Sequence, residues 1–186
     1  MTKHKLSLRD ICMTALFAAG MAVCAMVAIP VGPGGVPITL QTFAVALAGI
    51  VLGARRGVLA AIVYIALGAV GAPVFVGFSG GFGVLAGPTG GFILSFPLMA
   101  AAAGIGSRSG IAKTELEAKG TRPKARLAAG LFVGAGINYL CGALWYSLVT
   151  RNGLGAAIVN CVLPFVPADT VKFAVAAVVG RRLRKL

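Results

Sequence analysis

The sequence predicts an all-α integral membrane protein with six transmembrane helices and both termini in the cytoplasm. Three observations lead there. Of 186 residues, 59% are hydrophobic and 11% charged, with a mean hydropathy of +0.97; a soluble domain is nearer half apolar and a quarter charged. The apolar residues gather into segments close to the ~20 residues that cross a bilayer. The basic residues mark the gaps between those segments, as the positive-inside rule requires. The length fits a single membrane domain over residues 1–186.

The first predicted helix covers about 11–31 and ends at the turn-rich VGPGGVP. A basic start followed by an apolar run also describes a signal peptide. This run is long enough to span, however, and no clear cleavage site precedes the next segment. The second helix, about 39–54, is TLQTFAVALAGIVLGA, and the third runs over about 57–71. The stretch GFSGGFGVLAGPTGG (77–91) holds seven glycines and a proline, too many breakers for a regular spanning helix. Irregular backbone at membrane depth is tolerated where it is buried in protein or lines a cavity. Such glycines also let backbone groups approach a small ligand closely. A fourth helix covers about 89–106, a fifth about 127–149, and a sixth apolar region, 156–180, is interrupted by Pro164 and Pro167.

The basic residues test this count. Lys3, Lys5 and Arg9 precede the first helix, and Arg55 and Arg56 separate the second from the third. Arg108, Lys113, Lys119, Arg122, Lys124 and Arg126 follow the fourth, and Arg181, Arg182, Arg184 and Lys185 follow the sixth. With six crossings and a cytoplasmic N-terminus, all fifteen lie inside, and only Arg151 falls on an outer loop. Two helices fewer would put Arg55 and Arg56 on the wrong side. The net charge of +13 is therefore topological. A nucleic-acid binder would gather its charge in one patch, usually with exposed aromatics, so no nucleic-acid partner is expected.

Small-xxx-small pairs recur at Ala15/Ala19, Ala18/Ala22, Gly49/Gly53 and Gly130/Gly134, and such spacings let helices pack closely in lipid. Most of them serve the bundle. Ala15/Ala19 can alternatively face outward and dock a partner.

The last apolar region contains PFVPADTVKFAV, with Asp169 and Lys172 three residues apart. A helix starting near Pro167 puts Asp169 in its first turn, where a carboxylate suits the unpaired N–H groups, and puts Lys172 on the same face. Arg181 lies nine residues beyond Lys172, ~13–14 Å along a helix. With Arg181 at the inner interface, the pair lies near the middle of a core ~30 Å thick. Each charge costs roughly 2.5–3.5 kcal/mol at that depth. The pair is either an interhelical lock or part of a ligand site open to the outside. Thr39, Gln41, Thr42, Ser79, Thr89, Asn138 and Asn160 are the polar residues available to support such a site.

Catalysis is not expected. The membrane segments carry one carboxylate rather than two, and His4, the only histidine, lies in the polar N-terminal tail. Cys12, Cys24, Cys141 and Cys161 form no CxxC pair, so no metal or redox site is expected. The glycine-rich stretch is followed by no Gly-Lys-Ser/Thr and lies in no βαβ unit, which leaves no phosphate loop and no ATP hydrolysis in this chain.

Three segments carry a family resemblance: VPITLQTFAVALAGIVLGARRG (36–57), GAPVFVGFSGGFGVLAGPTGGF (71–92) and the P-x-D-x-x-K of PADTVK (167–172). Together they resemble BioY, the biotin-specific substrate-binding (S) component of energy-coupling factor (ECF) transporters. The resemblance covers about residues 8–180, and the GPTGG context is its most specific part. It implies the ECF S-component fold in the plasma membrane and capture of biotin from the outside, with biotin as ligand and no cofactor. It also implies a transmembrane coupling subunit and two ABC ATPases as partners, with Ala15 and Ala19 of the first helix at the docking surface. Asp169 and Lys172 correspond to the main polar ligand contacts. Asp169 would accept from a ureido N–H, and Lys172 would donate to the ureido oxygen or to the carboxylate. Phe75, Phe78 and Phe82 would wall the apolar part, and Thr39–Thr42, including Gln41, would close the outer mouth. Some members carry an arginine soon after GPTGG. This chain reads FILSF at 92–96, so backbone amides of Gly80, Gly81, Gly90 or Gly91 are the candidates for the carboxylate. The alternatives are an S component for another vitamin, a membrane enzyme acting on lipid, and a passive channel. The GPTGG region, the missing acid–base pair and the deep ion pair argue against them in turn.

Overall fold

The computed structural model describes residues 7–30, 36–107 and 123–183. Lys3, His4, Lys5, Arg108, Lys113, Lys119, Arg122, Arg184 and Lys185 lie outside the described residues. Helix α1 (Leu8–Met26) is opened by a reciprocal cap: the Asp10 N–H donates to Ser7 Oγ at 3.2 Å, and the Ser7 N–H donates to Asp10 Oδ2 at 3.3 Å. The other Asp10 oxygen meets Arg56 Nη1 at 3.1 Å. The helix starts and stops earlier than the predicted 11–31. Beyond it, β1 (Ala28–Ile29) pairs antiparallel with β2 (Ile38–Thr39), Ala28 opposite Thr39. Strands of two residues are too short for an alternating pattern, so no strand is expected there from the sequence.

Helix α2 (Gln41–Leu52) turns into α3 (Ala54–Ala69) through Gly53, whose φ of +80° suits a residue without a Cβ. Arg55 and Arg56 occupy the first turn of α3 rather than a loop before it. The glycine-rich stretch is irregular, with a single 3₁₀ turn at Val76–Phe78 and a short α4 (Phe82–Ala86). The predicted fourth helix is two helices, α5 (Gly90–Leu94) and α6 (Phe96–Gly106), divided at Ser95. There the Ser95 hydroxyl donates to the Phe92 carbonyl at 2.9 Å. Helix α7 (Pro123–Thr150) is the longest. The sixth region is again two helices, α8 (Leu154–Cys161) and α9 (Phe165–Leu183), bent by 47° across Val162–Pro164.

Helix α6 is central, packing on α7, α2 and α3, while α9 packs on α2, and α1 on α3 and α2. Glycine sets these crossings. A Cβ on Gly49 would run into the Ala100 carbonyl, one on Gly104 into Ala54, and Gly106 and Gly130 face each other across α6 and α7. The Gly130/Gly134 pair therefore packs α7 on α6. On α1, Ala18 faces the core and Ala15 and Ala19 face outward. Leu16, Phe132, Leu140, Leu148 and Val171 are exposed, as side chains facing lipid are. Among the described residues α1 and α7 are each long and apolar enough to cross a membrane, α8 and α9 together form a third such stretch, and α2 and α6 are shorter apolar helices.

Candidate ligand-binding site

The start of α2, the middle of α7 and the start of α9 converge on Asp169, which is 1% exposed. Helix α9 begins at Phe165, two residues earlier than expected, so Pro167 falls in the first turn and Asp169 just beyond it. The carboxylate is accordingly met by side chains rather than by helix N–H groups. Thr42 Oγ1 donates to Oδ1 at 2.8 Å, Lys172 Nζ donates to the same oxygen at 2.7 Å, and the Tyr139 hydroxyl donates to Oδ2 at 2.7 Å. Lys172 also donates to the Thr39 carbonyl at 2.6 Å and, at 3.4 Å, to Thr42 Oγ1. Three donors on one carboxylate and three acceptors around one ammonium compensate the desolvation of both charges.

Directly in front of this pair lies a cavity of about 230 Å³, far beyond the ~10–15 Å³ that holds one water. Its polar wall is Thr39, Gln41, Thr42, Ser79, Thr89 and Asn138; its apolar wall includes Val36, Phe75, Phe92, Ile93, Phe96 and Phe165. It sits where α2 and α9 begin, the end opposite Arg55, Arg56 and Arg181. Apolar walls with a few convergent polar groups are what a small-molecule site requires.

The polar groups differ in how far they are committed. Thr39 Oγ1 donates to Gln41 Oε1 at 3.0 Å, Gln41 Nε2 donates to the Tyr64 hydroxyl at 2.6 Å, and that hydroxyl donates to the Val74 carbonyl at 3.2 Å. This relay ties β2 and α2 to the segment after α3. Asn138 donates through Nδ2 to Ser95 Oγ at 2.7 Å and to the Phe92 carbonyl at 3.0 Å, so it supports the break between α5 and α6 from inside the wall. The Ser79 hydroxyl donates to the Val76 carbonyl at 2.7 Å. Thr89, the residue before α5, makes no capping bond with its side chain and leaves a hydroxyl for whatever fills the cavity.

Of the residues singled out from the sequence, Thr39, Gln41, Thr42, Phe75, Ser79, Thr89 and Asn138 line the cavity. Asp169 and Lys172 stand one layer behind, touching it through Thr39 and Thr42. Gly80, Gly81, Gly90 and Gly91 are not on the wall. The Gly81 N–H donates to the Gly68 carbonyl at 2.7 Å and the Gly90 N–H to that of Gly87 at 3.0 Å. Gly91 is packed on the Trp145 side chain, and Gly80 on the Ala72 carbonyl. Phe78 and Phe82 point outward, 72% and 76% exposed, and Asn160 is exposed as well. The apolar wall belongs instead to Phe92 and Phe165, whose rings stack at 5.9 Å, and to Phe96. Sequence reasoning missed Tyr64 and Tyr139; the one available signal is that a phenol in an apolar segment requires a hydrogen-bond partner.

Comparison with known proteins places this architecture. The profile of the BioY family matches residues 1–186. A probable biotin transporter BioY from Pyrococcus horikoshii is 40% identical over 176 residues, covering 95% of this chain and 96% of that protein. A biotin transporter BioY from Thermotoga maritima is 39% identical, with 96% and 98% covered. Among solved structures, an S-component for biotin from an ECF-type ABC transporter superposes with a TM-score of 0.82 at 27% identity, covering 100% of this chain and 95% of that one.

Proposed function

The chain belongs to the BioY family, and from that premise we propose that it is the biotin-capturing S component of an ECF-type importer. It is a multi-pass protein of the cell membrane and works by binding rather than catalysis. Six crossings with both ends cytoplasmic put the cavity on the outer side, at the end away from Arg55, Arg56 and Arg181.

The observation that carries the proposal is the buried Asp169–Lys172 pair behind a wall of threonines. Biotin presents a cyclic urea with two N–H donors and one oxygen, a sulfur-containing ring and an alkyl tail ending in a carboxylate. Lys172 Nζ and Asp169 Oδ1 are 2.7 Å apart, a spacing that serves the adjacent N–H and C=O of one urea rather than both ends of an elongated molecule. We assign Asp169 to a ureido N–H and Lys172 to the ureido oxygen. Rotation of Thr42 exchanges its bond to Oδ1 for one to the ligand. Phe75, Phe92 and Phe165 pack on the rings and the tail. The free hydroxyl of Thr89 meets the carboxylate.

ATP-driven uptake needs subunits that this chain does not supply. We assign them as a transmembrane coupling subunit and two ABC ATPases, docking through the outward Ala15 and Ala19 of α1.

Equilibrium binding of radiolabelled biotin to the purified protein tests the site. Loss of a hydrogen bond to a charged group costs about 1.5–3 kcal/mol, so Asp169→Asn and Lys172→Ala should each weaken binding by about 10- to 150-fold. Absence of binding to the wild type, or undiminished binding to both variants, refutes the assignment. Biotinamide should bind wild type less well than biotin does, and Thr89→Val should remove that difference.

A further inference from the structure

A second cavity lies at the other end of the molecule, between α7 and α9. Helix α7 rests mainly on α6, and α9 on α2; the space left between them is about 240 Å³. Ala128 on α7 and Ala174 and Ala177 on α9 leave room where larger side chains would fill it, while Leu131, Phe132 and Phe173 give it apolar walls. Two cations, Lys124 and Arg181, stand at its rim, and no acidic residue lines it among the described residues. Neither cation has an ion-pair partner among the described residues.

Length and charge together identify the occupant. The groove runs along α9 from Arg181 to Thr170, eleven residues, or ~16–17 Å of helix. Half of a ~30 Å hydrocarbon core is ~15 Å. The groove therefore spans one leaflet, with its cations at headgroup level and its apolar wall at acyl depth. In the topology of the functional reading above, that leaflet is the inner one, where basic pockets between helices collect anionic headgroups.

We propose that this groove binds one acyl chain of an anionic phospholipid from the inner leaflet, with the phosphate held between Lys124 and Arg181. A zwitterionic lipid brings no net charge to these two cations. Free phosphate would forgo the apolar wall.

Retention of phosphatidylglycerol against phosphatidylcholine, read by native mass spectrometry of the purified protein, tests this. The wild type should retain phosphatidylglycerol preferentially, and inorganic phosphate should not displace it. Lys124→Gln and Arg181→Gln should each reduce the preference by about fivefold. Ala174→Trp, at an exposed position, should lower retention of both lipids by filling the groove. Equal retention of the two lipids by wild type, or a preference unchanged in both charge variants, overturns the proposal whether or not the tryptophan variant folds. So does disulfide cross-linking of an Ala174→Cys variant to a second copy, which would assign the groove to self-association. Biotin binding measured on the same samples reports the functional reading separately, because the two cavities share no residue.

Discussion

Asp169 can serve the fold, the ligand or both, and its partners allow the two roles to be separated. Its three donors come from Thr42 on α2, Tyr139 on α7 and Lys172 on its own helix, so the carboxylate joins three helices. Neutralising it alone leaves Lys172, 11% exposed, without its counter-charge, which costs about 3–5 kcal/mol. Asp169→Asn should therefore lower the melting temperature in detergent as well as biotin affinity. The double variant Asp169→Asn/Lys172→Met removes both charges, and its melting temperature should return most of the way to wild type. Its biotin binding should not return; a double variant that is stable and still binds would make the pair a lock and nothing more. Tyr139→Phe removes one donor to a charged acceptor and should destabilise by a smaller amount, about 1.5–3 kcal/mol. Asp169 and Lys172 were legible in the sequence because ionisable residues are rare in an apolar segment. Thr42, 127 residues away from Asp169, was legible as a polar residue available to the site but not as a direct donor to Asp169, and Tyr139 was missed, since nothing local encodes a contact between helices.

Where helices cross, glycine is read by its partner rather than by its own flexibility. Gly49 brings α2 against the Ala100 carbonyl of α6, and Gly104 brings α6 against Ala54. Gly49→Ala should overpack that crossing and cost about 1–3 kcal/mol, measured as a drop in thermal stability. Gly20→Ala, on α1 with nothing within 4 Å of the new methyl, should be neutral or gain up to ~1 kcal/mol from helix propensity. Equal effects at the two positions would mean that close approach does not set the α2–α6 crossing. The small-residue spacing at Gly49 and Gly130 was visible in the sequence, but the helix each one meets was not. The division at Ser95 was hidden for a related reason. Residues 89–106 carry a single internal proline, Pro97, which lies in the first turn of α6 where it is tolerated. The break is held by the Ser95 hydroxyl on the Phe92 carbonyl and by Asn138 from α7, one local bond and one distant one. The bend between α8 and α9, by contrast, was announced by Pro164 and Pro167.

At the scale of the whole molecule, charge placement alone predicts a topology, because the rule concerns which side a residue lies on and not what it touches. The Arg56–Asp10 contact between α3 and α1 agrees with it, tying together two helix starts assigned to the same side. The same two-sidedness governs α1. Its inner face carries Ala18, Met21 and Ala25, none more than 2% exposed, while Ala15 and Ala19 look away from the bundle. A helix that presents alanines outward in lipid gains little from lipid contact, yet it permits the close backbone approach that helix pairing needs. Ala15→Trp places its bulk outside the bundle, so the isolated protein should fold, and it should bind biotin with wild-type affinity. In cells that carry the coupling subunit and ATPases proposed above, the same ring would hold the two proteins apart, and biotin uptake should fall to background. Ala18→Trp is the contrasting substitution: at 2% exposure it must disturb the core and lower thermal stability before any partner is present. If Ala15→Trp leaves uptake intact, α1 does not dock through this face. If it abolishes biotin binding as well, the outward alanines support the cavity through the fold and not through a partner.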